Sequence, residues 1–248
     1  MIYIILLIFL YSFYEYRNIK IKQLKSHDFN IKTIKNKRIV FVSDIQYDFG
    51  NFFFLKGLMG KVVRMINSQN PDIVVFGGDF IHHTSKYVFD YLKDINAEKI
   101  GVLGNHDYRD LENTIYGCEK ANIRLLINEN YQTQGLNFIG LDDLKKGSPK
   151  LPAINHDDYN ILLVHEPDDF ENYDFNYQFG LAGHLHAGLI TFFGIFAPVL
   201  PSKLGQKYRY ALVNVNGRFV YVSSGLGGFA FILPIRFFAR PEIVVIDI

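Results

Sequence analysis

Three apolar runs of this chain end abruptly in residues that carry chemistry, and that pattern constrains the fold more than any other feature. Arg38 to Ser43 runs straight into Asp44, Asp72 to Phe76 ends in Gly77, Gly78 and Asp79, and Lys99 to Leu103 ends in Gly104, Asn105, His106 and Asp107. Short runs rich in Val, Ile and Phe, bounded by glycine or polar residues, read as buried strands. Leu55 to Asn67, between the first two, has apolar residues at helical spacing. Further strands are predicted at Leu136 to Leu141, Tyr159 to Val164 and Phe179 to Ala182, then a hairpin about Asn216 and Gly217 and a terminal strand at Glu242 to Ile246. That order predicts an α/β sandwich: two sheets packed face to face, helices outside, and loops at one edge carrying the site.

At 248 residues and 49% hydrophobic content the chain has the size of one catalytic domain plus an appendage. A formal net charge of +1 gives no electrostatic reason to expect a nucleic-acid partner, and no protein partner is evident. The single cysteine, Cys118, cannot form an intramolecular disulfide. Met1 to Tyr14 carries no charge and is mostly Ile, Leu, Phe and Tyr, which reads as a single-pass membrane anchor over residues 1–19, with a lysine-rich linker over 20–36 and the catalytic domain over 37–248. As a helix the apolar run spans roughly 20 Å, short of a ~30 Å hydrocarbon core unless Tyr and Arg reach to the headgroups. A surface helix packed on its own domain or lying in the interface is the alternative. Arg17, Lys20, Lys22 and Lys25 follow the run, so the positive-inside tendency places the domain on the cytoplasmic side of the cell membrane.

The polar clusters occur in the order Asp44, then Asp79, then Asn105 to Asp107, then His165, then Gly183, His184, Leu185 and His186. Carboxylate can bridge two cations, imidazole suits Zn, Fe and Mn, and amide oxygen suits Mn or Mg, so the mixture points to two-metal hydrolysis rather than a structural zinc site. In an extended segment, alternation would put His184 and His186 on one side and Leu185 on the other. The ordered set Gly78-Asp79, Gly104-Asn105-His106-Asp107, His165 and Gly183-His184-Leu185-His186 resembles the successive motifs of the calcineurin-like metallophosphoesterases. Together with Gly140-Leu141-Asp142-Asp143, Gly225-Leu226-Gly227 and the stretch from Pro234 through Arg236 to Ile243, it resembles their membrane-associated branch, typified by bacterial YkuE and YaeI proteins. The resemblance covers about Arg38 to Ile248. It implies a four-layer αββα sandwich and hydrolysis of phosphate esters, with UDP-2,3-diacylglucosamine of lipid A synthesis as one attributed substrate.

It further implies two divalent metal ions. Asp44 and His186 would serve the first, Asn105, His165 and His184 the second, and Asp79 would bridge them. His106 would be the outer histidine that protonates the leaving oxygen, with Asp107 orienting it. The family usually has histidine where Gln46 stands, and a glutamine carbonyl is a neutral, weaker ligand that suits Mn or Mg; Mn is therefore favoured, with Fe, Zn and Mg as alternatives. His82 and His83 have no assigned role, although one could stand in for the missing imidazole. The expected mechanism is attack on phosphorus by a hydroxide held between two cations. The alternatives are a degenerate scaffold that binds without turnover and a phosphodiesterase of soluble substrates. Ile190 to Leu200 carries several large apolar residues broken by Gly194 and Pro198, which reads either as core or as a membrane-facing lip for a lipid-linked substrate.

Overall fold

Alternation along the strands sorts the apolar side chains onto opposite faces, and this arranges the molecule in layers. The computed structural model describes residues 2–31, 36–47, 57–84, 87–229 and 233–248. In chain order the elements are helix α1 (Ile2–Arg17), strands β1 (Lys20–Lys25) and β2 (Arg38–Val42), helix α2 (Leu58–Asn67), β3 (Ile73–Phe76), helix α3 (Val88–Leu92), β4 (Glu98–Gly101), helix α4 (Leu111–Lys120), β5 (Ile123–Leu125), β6 (Glu129–Thr133), β7 (Leu136–Gly140), β8 (Asn160–Leu163), β9 (Phe179–Ala182), β10 (Ala211–Val215), β11 (Arg218–Val222) and β12 (Glu242–Asp247). One sheet has the order β1-β12-β2-β3-β4-β5 and the other β10-β11-β9-β8-β7-β6.

Ile39, Phe41, Ile73 and Val75 of the first sheet meet Phe138, Ile161, Leu163 and Leu181 of the second in the middle layer. The intervening residues Val40, Val42, Val74 and Phe76 face the opposite way, onto Leu58, Val62 and Ile66 of α2 and Leu92 of α3. On the second sheet Ile139, Leu162 and Val220 point outward under Phe170, Tyr177 and Tyr208. Among the described residues this outer face departs from the expected αββα layering: 3-10 turns at Pro167–Asn172 and Gly205–Tyr208 supply cover there, and the described α-helices lie with the first sheet or at the N-terminus. The run from Pro167 holds two successive aspartates and an aromatic but no sustained apolar period, so it covers the sheet by side-chain contact without forming an α-helix.

The segment 20–36, expected as a linker, begins as sheet. Lys20-Ile21-Lys22-Gln23-Leu24-Lys25 alternates, buries Leu24 and pairs parallel to β12, with Lys20 against Glu242 and Lys25 against Asp247. Residues 32–35 of that segment lie outside the described residues. α1 does form, but at 16 residues it is about 24 Å long by its rise per residue, and among the described residues no helix is long and apolar enough to cross a membrane. The single-pass span expected there is therefore not found. The helix instead lies on its own domain through Ser12, Glu15 and Tyr16, which are buried, while Tyr3, Ile4, Leu7, Leu10 and Tyr14 stay exposed.

The hairpin is formed as expected, with β10 and β11 joined by Asn216 (φ 52°) and Gly217 (φ 86°), both in the left-handed region that a two-residue turn of this kind requires.

Candidate metal centre

β2, β3, β4, β8 and β9 all deliver polar residues just past their C-terminal ends, and these meet at one rim of the sandwich. Asp44 follows β2, Asp79 follows β3, Asn105 to Asp107 follow β4, His165 follows β8, and His184 and His186 follow β9. Four of these residues, and Gln46 beside Asp44, sit on backbone in the left-handed region: Asp44 (φ 51°), Gln46 (47°), Asp79 (56°), His184 (69°) and His186 (49°). Non-glycine residues seldom adopt such angles, and clusters of them mark sites where the surrounding structure holds strained groups for a purpose.

Asp79 is the hub. Its Oδ1 accepts from the backbone N–H of His106 at 2.8 Å, its Oδ2 accepts from Gln46 Nε2 at 2.9 Å, and His165 Nε2 stands 3.5 Å from Oδ2. His165 is fixed by Nδ1, 2.7 Å from the carbonyl of Gly77, and its Nε2 lies 3.2 Å from His184 Nδ1. One ligand atom from each of Asp79, His165 and His184 thus lies within 4.8 Å of the other two. These belong to the second expected ligand group, and the first adjoins it: His186 Nε2 lies 3.7 Å from Asp44 Oδ1 and 3.3 Å from Gln46 Nε2, and Asp44 accepts from Ser43 Oγ at 2.7 Å and from the backbone N–H of His184 at 3.0 Å. Gln46 therefore stands in the first group with its amide nitrogen toward Asp79; a half-turn of the amide puts the oxygen there instead.

The donors present suit a cation. The buried Oδ1 of Asn105 has no hydrogen-bond partner among the described residues, an orphan that an ion at the second group would satisfy. Burial works to raise the carboxyl of Asp79, but the charges of His165 and His106 prevail and hold it well below the usual carboxylate range. Burial and the Asp79 charge push Asp44 up, His165 opposes them, and it settles at about 6. His165 goes the other way: burial disfavours its charged form, yet Asp79 and Asp44 raise it well above an ordinary histidine. A cation and that proton compete for the same nitrogen. Burial lowers His184 and His186, and the neighbouring charges of His165 and of Arg236 respectively lower them further, which leaves both imidazoles neutral and able to ligate.

His106 lies just outside these groups. Its Nδ1 is 3.0 Å from the carbonyl of His82 and its Nε2 is 4.0 Å from Asp79 Oδ2, so Nε2 is the nitrogen turned toward the site. The expected support from Asp107 is not formed. That carboxylate instead accepts from the backbone N–H groups of Asp79 and Gly104, each at 2.9 Å, and of Ile81 at 3.3 Å, which clamps the turns after β3 and β4 together. His82 belongs to the surroundings of His106, with ring centroids 4.7 Å apart, and contributes to neither ligand group; burial and the neighbouring His106 lower it to about 4. Nor is the His184 to His186 segment extended: Leu185 is helical and buried, and a 3-10 turn at His186–Gly188 brings both imidazoles inward.

A profile of the calcineurin-like phosphoesterases matches residues 37–188. The chain belongs to the calcineurin-like phosphoesterase family. As a member it is a hydrolase acting on phosphoric ester bonds. It is 32% identical to the metallophosphoesterase YkuE of Bacillus subtilis over 79% of this chain and 73% of that protein. Identity is 24% to the phosphodiesterase YaeI of Escherichia coli, over 85% and 82% of the two chains. It is 27% to the UDP-2,3-diacylglucosamine pyrophosphatase LpxG of Chlamydia muridarum, over 84% and 82%. The chain spans 64% of the length of the metallophosphoesterase Cj0846 of Campylobacter jejuni, to which it is 30% identical.

Two residues of this phosphoesterase were given no role at the site from sequence. Lys145 Nζ is 2.5 Å from His184 Nε2, on the side of that ring facing away from His165, and donates to the carbonyl of Pro201 at 2.9 Å. The signal was present in the two acids before it: Asp143 Oδ1 accepts from the N–H groups of Lys145 and Lys146 and so turns the loop toward His184. The other is Arg236, completely buried behind His186.

Proposed function

We propose that this phosphoesterase works at a lipid surface, on a substrate whose phosphate is carried by an acylated headgroup. The observation that carries the reading is the surface next to His186. Phe192, Phe193, Ile195 and Val199 are 62, 78, 77 and 78% exposed, far more than a core loop would leave in water. Behind them a cavity of about 370 Å³ is walled by Leu185, His186, Leu189, Ile190, Pro198 and Val199. Ring contacts of Phe193 with Phe238 and of Phe238 with Tyr11 join this lip to the exposed face of α1. The helix is then read as lying along the membrane surface rather than crossing it, with Arg17, Lys20, Lys22 and Lys25 favouring the anionic cytoplasmic leaflet. The name of LpxG supports a lipid-linked nucleotide as one substrate of this class.

When bound, a pair of divalent cations would acidify the attacking water and offset charge building on the phosphoryl group. Asp44, Gln46, Asp79 and His186 would hold one, and Asp79, Asn105, His165 and His184 the other, with Mn favoured by the amide oxygens of Asn105 and Gln46. His106, held at Nδ1 by the carbonyl of His82, presents Nε2 to protonate the leaving oxygen. The test compares turnover of diacylated and deacylated forms of one headgroup in mixed micelles. Wild type should prefer the diacylated form, and a variant with Phe192→Ser and Phe196→Ser should lose that preference, about 10-fold or more for two large apolar contacts, while treating the deacylated form as before. Equal turnover of both forms by both proteins would return the enzyme to soluble phosphodiesters.

A further inference from the structure

The segment between β11 and β12 carries Arg236 into the interior with none of its surface exposed. Among the described residues no carboxylate lies within ion-pair distance of it. The guanidinium is instead satisfied by four main-chain carbonyls: Gly227 through Nε at 3.0 Å, and His186, Ser224 and Ala239 through one terminal nitrogen at 3.0, 2.7 and 3.0 Å. The other terminal nitrogen also donates to Gly227 and stands 3.4 Å from His186 Nδ1, the ring nitrogen opposite the one facing Asp44. A buried unpaired guanidinium is costly, so a site that keeps one is using its geometry.

The carbonyls it gathers belong to the parts that build the first ligand group. His186 is itself a ligand candidate. Ser224 and Gly227 flank Leu226 in a loop that backs the turn after β2: the N–H of Leu226 donates to the carbonyl of Ser43 at 3.0 Å, and that of Gly227 to the carbonyl of Asp44 at 2.6 Å. α1 closes the far side. The N–H of Arg236 donates to the carbonyl of Ser12 at 3.2 Å, that of Phe238 donates to Glu15 Oε2 at 2.7 Å, and Tyr16 is buried in the same region.

We propose that Arg236 is the positioning residue of the first metal site, tying His186 and the 224–227 loop into register with Asp44 and Gln46, and that α1 holds it there. The second group, formed by Asp79, Asn105, His165 and His184, makes no contact with the guanidinium and does not depend on it. This rests on the metal-dependent reading above. The experiment uses full-length Arg236→Lys, which keeps the charge but replaces a planar fork by a single ammonium, and Tyr16→Ala, which removes the wall on the α1 side. Metal content, Co(II) absorption spectra and Mn titrations are measured after chelation and reloading. Wild type should take up two equivalents. Arg236→Lys should keep one and bind the other roughly 10- to 100-fold more weakly, the range for losing a partner of a metal ligand, with activity returning at excess Mn. Tyr16→Ala should weaken the same site by a smaller factor, and it carries the test if Arg236→Lys does not fold. Two equivalents at wild-type affinity in the folded variants would overturn the proposal, as would equal loss from both sites. A wild type that takes up no metal would instead refute the metal-dependent reading beneath it.

Discussion

At the scale of single residues, the site is built from donors whose alternatives are visible in their hydrogen bonds. Gln46 is the clearest case. Its amide touches both Asp79 and His186, so it occupies the place of a ligand while offering only a neutral oxygen or an N–H. Gln46→His should therefore raise affinity at the first site for Zn or Fe, on the order of 10-fold by comparison with other changes around metal ligands, and leave the second unchanged. A competitive metal titration reads this directly, and an unaltered titration removes Gln46 from the site. The residues that gather at the rim were legible in sequence as polar residues following apolar strands, while their sorting into two ligand sets came from the family resemblance. Asp107 was legible as a residue of the site but not in its role: the family resemblance implied support of His106, whereas the carboxylate turns back onto three backbone N–H groups. Arg236 was invisible as a site residue because it approaches from a segment some 50 positions after His186, and nothing in its local pattern marks it as buried.

At the scale of elements, the turns after the strands decide whether the donors converge. Gly104 sits where the β4 turn passes closest to the β3 turn: a Cβ added there would lie 2.3 Å from Asp79 Oδ1 and 2.7 Å from His165 Cε1. Gly104→Ala must displace both side chains and also the backbone of Asp79, whose nitrogen would lie 2.6 Å from the new Cβ. It should cost about 1–3 kcal/mol in chemical denaturation, as overpacking does, and lower metal affinity along with turnover. Wild-type metal content with an intact denaturation midpoint would show that the turn has room to spare. β2, β3, β4, β7, β8, β9 and β12 were readable as apolar runs and the hairpin from the Asn216-Gly217 pair, whereas the short β5 and the polar β6 were not predicted. Nor was β1, since its two apolar residues, Ile21 and Leu24, fall on opposite faces and leave no two-residue period to read, and its partner β12 lies far along the chain. The layer outside the second sheet was misjudged for a related reason, because turns that cover a sheet by a few aromatic contacts have no periodicity to read.

At the scale of the whole molecule, the exposed face of α1 and the lip at Phe192 to Phe196 form one apolar surface beside the candidate metal centre. If that surface rests in lipid, replacing one residue from each part should weaken the interaction. Burial of a Leu or Phe side chain is worth roughly 1.5–3 kcal/mol, so Leu7→Glu combined with Phe193→Glu should lower partitioning onto anionic vesicles by about 100-fold or more. Cosedimentation measures it, and unchanged partitioning would make the surface irrelevant to membranes. The pairing of β1 with β12 has a consequence for the order in which the molecule is assembled. Lys20–Lys25 can enter the sheet only once Glu242–Asp247 exists, and α1 gains its support at Ser12 and Glu15 only when residues 236 and 238 are in place. During synthesis a mostly apolar helix is therefore made long before β12 and waits for it, a long-range closure of the kind that slows folding and leaves apolar surface open to association.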